Sequence, residues 1–519
     1  MRTEPILLAA ACVLVFGIAP QSRAVAEHPT GVVFHDRNAN GVRDADENGI
    51  PGVAVSNQRE VVVTDAEGRW RLPAADDAIF FVIKPSHWMT PVNAYQLPTF
   101  YHIHKPAGSP SLRYPGVPPT GPLPPSIDFP LIRRPEPEQF RVIVASDPQC
   151  RNEQELEFLV RDNLEELVGT DAVFGITLGD IVDNVLSLYE KHNACFARVG
   201  IPWYNVIGNH DTNQDASRDE DSDETFERVF GPSYYAFEFG RVHFVILDNI
   251  HYRGRPDSKT SSYFGGIGDK QLEFLRNDLA LVPQDRLVVV LMHIPIMDVK
   301  DRESLYRILE TRRHCVSFSG HTHTQRHCFL GPDEGWMGES PHHHMVSTVM
   351  SGSHFGGAFD ELGIPHATMA DGAPNGYSII TFHGNQYAIR FKASRRPADY
   401  QMNIFMPFEV DAGQDAETEV VVNVFGGSPR SRVEMRVGDV SWTPMQHEER
   451  EDPAYRALID AAQARAGAGD RPMQKSKPSP HIWVGRLPRG LTPGAHSLDV
   501  RTQDSFGQVF ESHRIFVIR

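Results

Sequence analysis

Between residues 140 and 323 the chain repeats one pattern five times: an apolar run of strand length ends in a polar cluster of residue types that bind metals. Residues 140–145 lead into Asp147-Pro148-Gln149, and residues 172–178 into Gly179-Asp180-Ile181-Val182-Asp183-Asn184. Residues 203–207 lead into Gly208-Asn209-His210-Asp211, residues 287–291 into Met292-His293-Ile294-Pro295, and residues 315–318 into Ser319-Gly320-His321-Thr322-His323-Thr324. Helical periodicity over 153–168 and 186–199 separates the first three runs. Strands alternating with helices give a parallel sheet covered by helices, and such sheets place ligands at the carboxyl ends of their strands. A single Asn-His-Asp string is an ordinary turn; five clusters, each at a strand end, specify a site.

The order of these clusters, with Asp147 and Gln149, then GDxxDN, GNHD, MH and GHTH, resembles the calcineurin-like metallophosphoesterase family over about residues 140–366. The resemblance implies two divalent ions drawn from Mn, Zn, Fe or Mg, with Mn favoured. One would take Asp147, Gln149, Asp180 and His323, and the other Asp180, Asn209, His293 and His321, with Asp180 bridging. It implies a hydrolase of phosphate esters in which a water activated between the ions attacks phosphorus. His210 would give the leaving oxygen its proton, with Asp211 orienting that imidazole and Asp183 supporting the shell. Two positions depart from the commoner pattern. Gln149 stands where the family usually has His, and its neutral amide oxygen favours a harder ion. Asn184 stands where the protein Ser/Thr phosphatases carry Arg, which removes a bidentate phosphate clamp. The alternatives are a phosphodiesterase acting on nucleotides, lipid head groups or envelope polymers, and a surface-binding protein with a vestigial metal site.

A chain of 519 residues holds more than one core. We expect a multidomain α/β and all-β protein. Its segments are a signal peptide over 1–26, a transthyretin-like β-sandwich over 27–104, a Pro-rich connector over 105–139, the catalytic domain over 140–370 and an Ig-like β-sandwich over 371–519. The leading segment has Arg2, an apolar run over 6–19 and the small-x-small site Ala24-Val25-Ala26, which suits export to the periplasm or beyond. No later stretch is long enough to span a membrane. A net charge of −17 argues against a nucleic-acid polymer as partner and leaves a small-molecule or envelope phosphoester as the expected substrate.

From Asp36, oxygen-bearing residues Asp36, Asn38, Asn40, Asp44 and Glu47 fall at calcium-loop spacing, with Gly41 at the turn and the Val42 carbonyl at the seventh position. A weak calcium site is expected there. His342-His343-His344 precedes a strand and suits either the cleft or a sheet edge, and His243, alternating with apolar residues, reads as structural. Cys315 and Cys328 bracket the GHTH loop; if that loop is a hairpin, a disulfide would stiffen it.

Overall fold

Residues 28–254, 262–465 and 472–519 are described by the computed structural model; the expected signal segment lies outside them. Long apolar runs such as Leu287–Leu291, buried at every position, build two sheets that face each other at the centre of the molecule. One has the strand order Trp203–Asn205, Phe174–Thr177, Gln139–Ala145, Gly376–His383, Gln386–Ala393. The other runs Tyr235–Phe239, Val242–Ile246, Leu287–Leu291, Cys315–Ser319, His342–Val346, Arg326–Leu330. Helices Gly268–Leu279 and Arg302–Leu309 and the helical stretch from Glu153 to Leu167 supply the α component. That stretch passes through a π turn at Val160–Leu164, where Asp162 and Asn163 are buried. Gly240 and Arg241 turn the hairpin that joins Tyr235–Phe239 to Val242–Ile246, with Phe239 opposite Val242.

Two expected boundaries shift. The hairpin Gly376–His383/Gln386–Ala393 lies within the 371–519 range expected of the C-terminal sandwich, but Gly376–His383 pairs antiparallel with Gln139–Ala145, so the hairpin belongs to the central unit, which extends to Ala393. Phe382 stacks on Phe140 with ring centroids 5.1 Å apart, so the hairpin closes the central core. Nor is 105–139 a free connector. Its strand Phe129–Arg133 pairs in parallel with Thr30–His35 and completes the N-terminal sandwich, where Phe129 stacks on Trp70. Earlier in the segment, the Lys105 ammonium is buried against Glu224, and the Tyr114 hydroxyl donates to the Asn184 carbonyl at 3.2 Å.

The N-terminal region holds two four-stranded sheets and the C-terminal region a four- and a five-stranded sheet, the latter pair packed around Trp483, Val422 and Phe516. Helix Pro453–Arg465 interrupts the C-terminal strands. The molecule is therefore a central α/β unit flanked by two β-rich regions. No helix among the described residues is long and apolar enough to cross a membrane.

The three consecutive histidines line neither the cleft nor an edge. Their strand His342–Val346 lies inside the six-stranded sheet between two partners. His342 and His344 both lie 2.7 Å from the Ser317 hydroxyl, and His343 lies between His327 and the Tyr387 hydroxyl. Burial pushes His342 down to about 3, so it packs as a neutral ring. The same strand rules out the expected disulfide. Cys315 and Cys328 sit on strands separated by His342–Val346, and two strand spacings of ~4.8 Å exceed the reach of a disulfide.

His243 is structural, as expected. Fully buried, it lies 2.7 Å from Asp278 and 3.8 Å from Glu238. Burial alone would lower its pKa, but the two carboxylates raise it from 6.5 to about 9. A folded pKa above the unfolded one gives stability that is complete below pH 6.5 and is lost as pH rises through about 9. His243→Gln should therefore destabilise the catalytic unit by roughly 3 kcal/mol at pH 6 and by much less at pH 9.5. Urea unfolding of both proteins across that range checks this; a pH-independent gap would contradict the charged pair.

Candidate metal centre

The strand ends converge on one point because each ligand loop turns sharply. Asp147, Gln149, Asp180, His321 and His323 all have positive φ, between 43° and 75°. Non-glycine residues take this conformation only where their surroundings enforce it, and such strain gathers at functional sites. Two glycines make the convergence feasible. A Cβ at Gly208 would collide with the Asp180 amide and carboxylate, and one at Gly320 with Ser146 and Asp147.

Asp180, His293 and His321 bring their ligand atoms within 4.8 Å of one another, the one such group of three His, Cys, Asp or Glu residues among the described residues. His293 Nδ1 lies 2.7 Å from the Leu178 carbonyl, which fixes the tautomer and turns Nε2 inward. There Nε2 stands 3.2 Å each from Asp180 Oδ2, Asn209 Oδ1 and His321 Nδ1. Four donor atoms thus face a common point.

Asp147, Gln149 and His323 lie beside this group. His323 Nδ1 is 2.8 Å from the Gly352 carbonyl, and its Nε2 is 3.6 Å from Asp147 Oδ1. Backbone bonds from Asp147 N to Gly179 O and from Gln149 N to Asp180 O lock this loop to the one bearing Asp180. Gln149 Oε1 is buried with no hydrogen-bond partner. An orphaned amide oxygen is costly, and among two buried carboxylates it is the donor a hard cation would use. The residues present therefore fit a divalent metal.

The electrostatics agree. Burial pushes Asp147 up, and the neighbouring Asp180 adds to the shift. His293 is raised to about 9, because Asp180 and Asp147 outweigh the burial that would lower it. Burial, with the charge of His293, pushes His321 down to about 3 and leaves its lone pair available.

His210 Nδ1 lies 2.9 Å from Asp183 Oδ1. Burial lowers the His210 pKa, but Asp180 and Asp183 raise it to about 9 overall. The orienting role expected of Asp211 is corrected. Its carboxylate accepts from the amides of Ile181, Val182 and Gly208 and from the Tyr189 hydroxyl, so it is fully occupied in bracing the GDxxDN turn against GNHD. Asp183, expected as support, holds the imidazole instead.

A cavity of about 340 Å³ opens over these residues, and Tyr263, His354, Gln474 and Lys477 also line it. Sequence reading missed these four. His354 had a visible signal, a histidine inside a Gly-rich turn, and its ring lies 4.3 Å from that of His323. Lys477 lies 155 residues beyond Thr322, the residue it bonds, with no local pattern to mark it. In the N-terminal loop, Asp36 accepts from the amides of Asn40 and Gly41, Asn38 and Asn40 donate to Asp44, and Glu47 accepts from the amides of Arg37 and Asp44. Its side chains are satisfied within the loop, the Val42 side chain is exposed, and no cluster comparable to the one at Asp180 forms there among the described residues.

Three family models match the chain: calcineurin-like phosphoesterase over residues 140–325, N terminal of calcineurin-like phosphoesterase over 37–113, and C terminal of calcineurin-like phosphoesterase over 343–510. No curated protein matches. Similar solved structures include a purple acid phosphatase from yellow lupin (Lupinus luteus) seeds, 12% identical, covering 71% of this chain and 73% of that one with a TM-score of 0.35. A superoxide reductase (neelaredoxin) from Ignicoccus hospitalis is 10% identical and covers 23% of this chain and 81% of that one with a TM-score of 0.14. CopC from Methylosinus trichosporium is 13% identical and covers 22% and 93%, with a TM-score of 0.13. Matched along most of its length and carrying a buried Asp–His–His cluster at its strand ends, the chain belongs to the calcineurin-like phosphoesterase family and is a metal-dependent phosphoester hydrolase.

Proposed function

We propose that the centre holds two divalent ions and hydrolyses small phosphate esters. The observation that carries this reading is the buried, unpartnered Gln149 Oε1, beside a donor set already sufficient for one ion. Asp147, Gln149 and His323 would hold the second ion and share Asp180 with the first. The neutral amide favours Mn²⁺ or Mg²⁺ there over softer metals. Bound ions would supply Lewis acidity toward phosphoryl oxygens and lower the pKa of a water.

The chain's own residues handle the rest of the chemistry. Asp183 holds His210 through Nδ1, so that Nε2 carries the proton given to the leaving oxygen. The His210 amide also donates to Asp180 Oδ1 at 2.8 Å, fixing the imidazole relative to the bridging carboxylate. Asp211 keeps the two turns that bear these groups in register.

Export is part of the proposal. It rests on Arg2, the apolar run over 6–19 and Ala24-Val25-Ala26, and a mature chain whose first residue is still Met1 would contradict it. We also read the N-terminal region as a transthyretin-like sandwich and the C-terminal region as an Ig-like one, from their strand patterns. Calcium in the 36–47 loop remains a proposal founded on spacing. With its asparagine amides turned to Asp44, any site would be weak, with a dissociation constant of roughly 10⁻⁴–10⁻³ M.

His210→Ala should lower kcat on an aryl phosphate by about 10²–10⁴-fold with metal content unchanged, and Asp183→Asn should give a smaller loss in the same direction. Asp211→Asn should act through stability first, lowering the melting temperature. Two equivalents of Mn²⁺ should bind the wild type and fewer than one Asp180→Ala. Stripping metal with a chelator should lower the melting temperature by about 5 °C. Elemental analysis giving a single ion in the fully active wild type would overturn the dimetal reading.

A further inference from the structure

The cavity over the ligand loops is built from two parts of the chain. Most of its lining comes from the central unit, but Gln474 and Lys477 come from the segment entering the C-terminal strand Pro478–Arg486. Lys477 is the one lysine or arginine among the described residues that line it. At Asn184, where a guanidinium would grip a phosphate, the side chain is engaged with Asp183 and His210.

The Lys477 backbone is held from several directions. Its amide donates to the Ala370 carbonyl at 2.9 Å, and the Tyr455 hydroxyl donates to the Gln474 carbonyl at 2.9 Å. His481, fully buried, lies 3.2 Å from Asp371 and 2.7 Å from Asn423. Lys477 Nζ donates to the Thr322 carbonyl at 2.9 Å, at the peptide between His321 and His323. An ammonium has three donors. One is used there, and Lys477 makes no ion pair with a carboxylate among the described residues. Two donors and a full positive charge are left at the rim of a cavity lined by Asp180, Asp183 and histidines.

We propose that Lys477 is a substrate-binding residue supplied by the C-terminal region, that its ammonium takes non-bridging oxygens of the ester phosphate, and that it biases the enzyme toward phosphomonoesters. At a given distance a dianionic monoester gains twice the Coulomb energy that a monoanionic diester gains. Thr322 fixes where that charge sits, so little ordering cost remains when substrate arrives. The inference rests on the phosphoesterase reading above.

The test uses the full-length, metal-loaded protein with Lys477→Met and Lys477→Arg. Kinetics on 4-nitrophenyl phosphate and bis(4-nitrophenyl) phosphate are read beside metal content and calorimetric titration with inorganic phosphate. Lys477→Met should keep its metal and lose roughly 10–100-fold in kcat/KM on the monoester, mostly through KM. Its phosphate affinity should weaken in parallel, its diester activity should fall by about the square root of that factor, roughly 3–10-fold, and Lys477→Arg should recover most of the loss. Unchanged monoester KM and phosphate affinity would overturn the proposal. Equal losses on both esters, or a fall in metal content, would overturn it too, since either would make Lys477 a brace for the histidine loop. If the wild type cleaves neither ester, the phosphoesterase reading fails; the phosphate titration then still decides Lys477, weaker binding by Lys477→Met supporting it and equal binding overturning it.

Discussion

Asp147 and Asp180 lie in one cluster with almost none of their surface exposed, and each buried charge costs several kcal/mol unless something positive sits beside it. Much of the local structure serves that pair. The Ser146 hydroxyl and the His321 amide donate to Asp147, and the His210 amide donates to Asp180. These bonds lessen the penalty without cancelling two charges. Asp180 and Asp147 in turn raise His293 to about 9 against the burial that would lower it. The left-handed turns at the ligand positions have the same origin, since only a tightly folded backbone aims so many donors at one point. Two buried carboxylates with so little positive charge beside them suit a divalent cation, as a metal-dependent hydrolase requires.

The central fold was legible because its signal is local. Strand-length apolar runs and the polar clusters after them are contiguous, so residues 140–323 could be read from periodicity alone. What failed was long-range. The hairpin at Gly376–Ala393 looks like any antiparallel pair, and only its register against Gln139–Ala145 shows which core it closes. The Pro-rich stretch concealed Phe129–Arg133 because a five-residue strand beside prolines has little pattern of its own. At the site, the clusters marked where metal-binding residue types gather and the family resemblance supplied the expected ligands, whereas neither signal gave the partner of His210. Asp183 and Asp211 are both near in sequence to Asp180 or His210, and the choice between them depends on which way two turns face.

Histidine shows how position rather than residue type settles chemistry here. His293, His321 and His323 follow strands, where the backbone has left the ladder and side chains can converge. His342, His343 and His344 lie within a strand, so they alternate between faces and meet Ser317 on one side and His327 and Tyr387 on the other. Burial drives these rings neutral. His243, also inside a strand and equally buried, goes the opposite way because Asp278 lies 2.7 Å from its Nε2. Neighbouring carboxylates decide between the outcomes, which is why a count of histidines predicts none of them.

The C-terminal region reaches the centre through buried polar contacts rather than by apolar packing alone. Asp371 Oδ2 accepts from the Gln325 amide at 2.6 Å, one residue past the GHTHT loop, and the same carboxylate faces His481 of the C-terminal strand. Asn423 bonds His481, and its amide donates to Asp452 at 2.6 Å. Every member is buried, so losing one would leave its partners unsatisfied at a cost of about 1–3 kcal/mol each. Apolar contact would tolerate sliding between the two regions; a chain of directional bonds in low dielectric does not. The loop bearing His321 and His323 is thus fixed at one end by the Asp147 turn and at the other by a network that exists only when the C-terminal sheets are docked. The C-terminal region is a structural part of the metal centre: His481 and Asn423 hold Asp371, and Asp371 holds the end of the loop that bears His321 and His323.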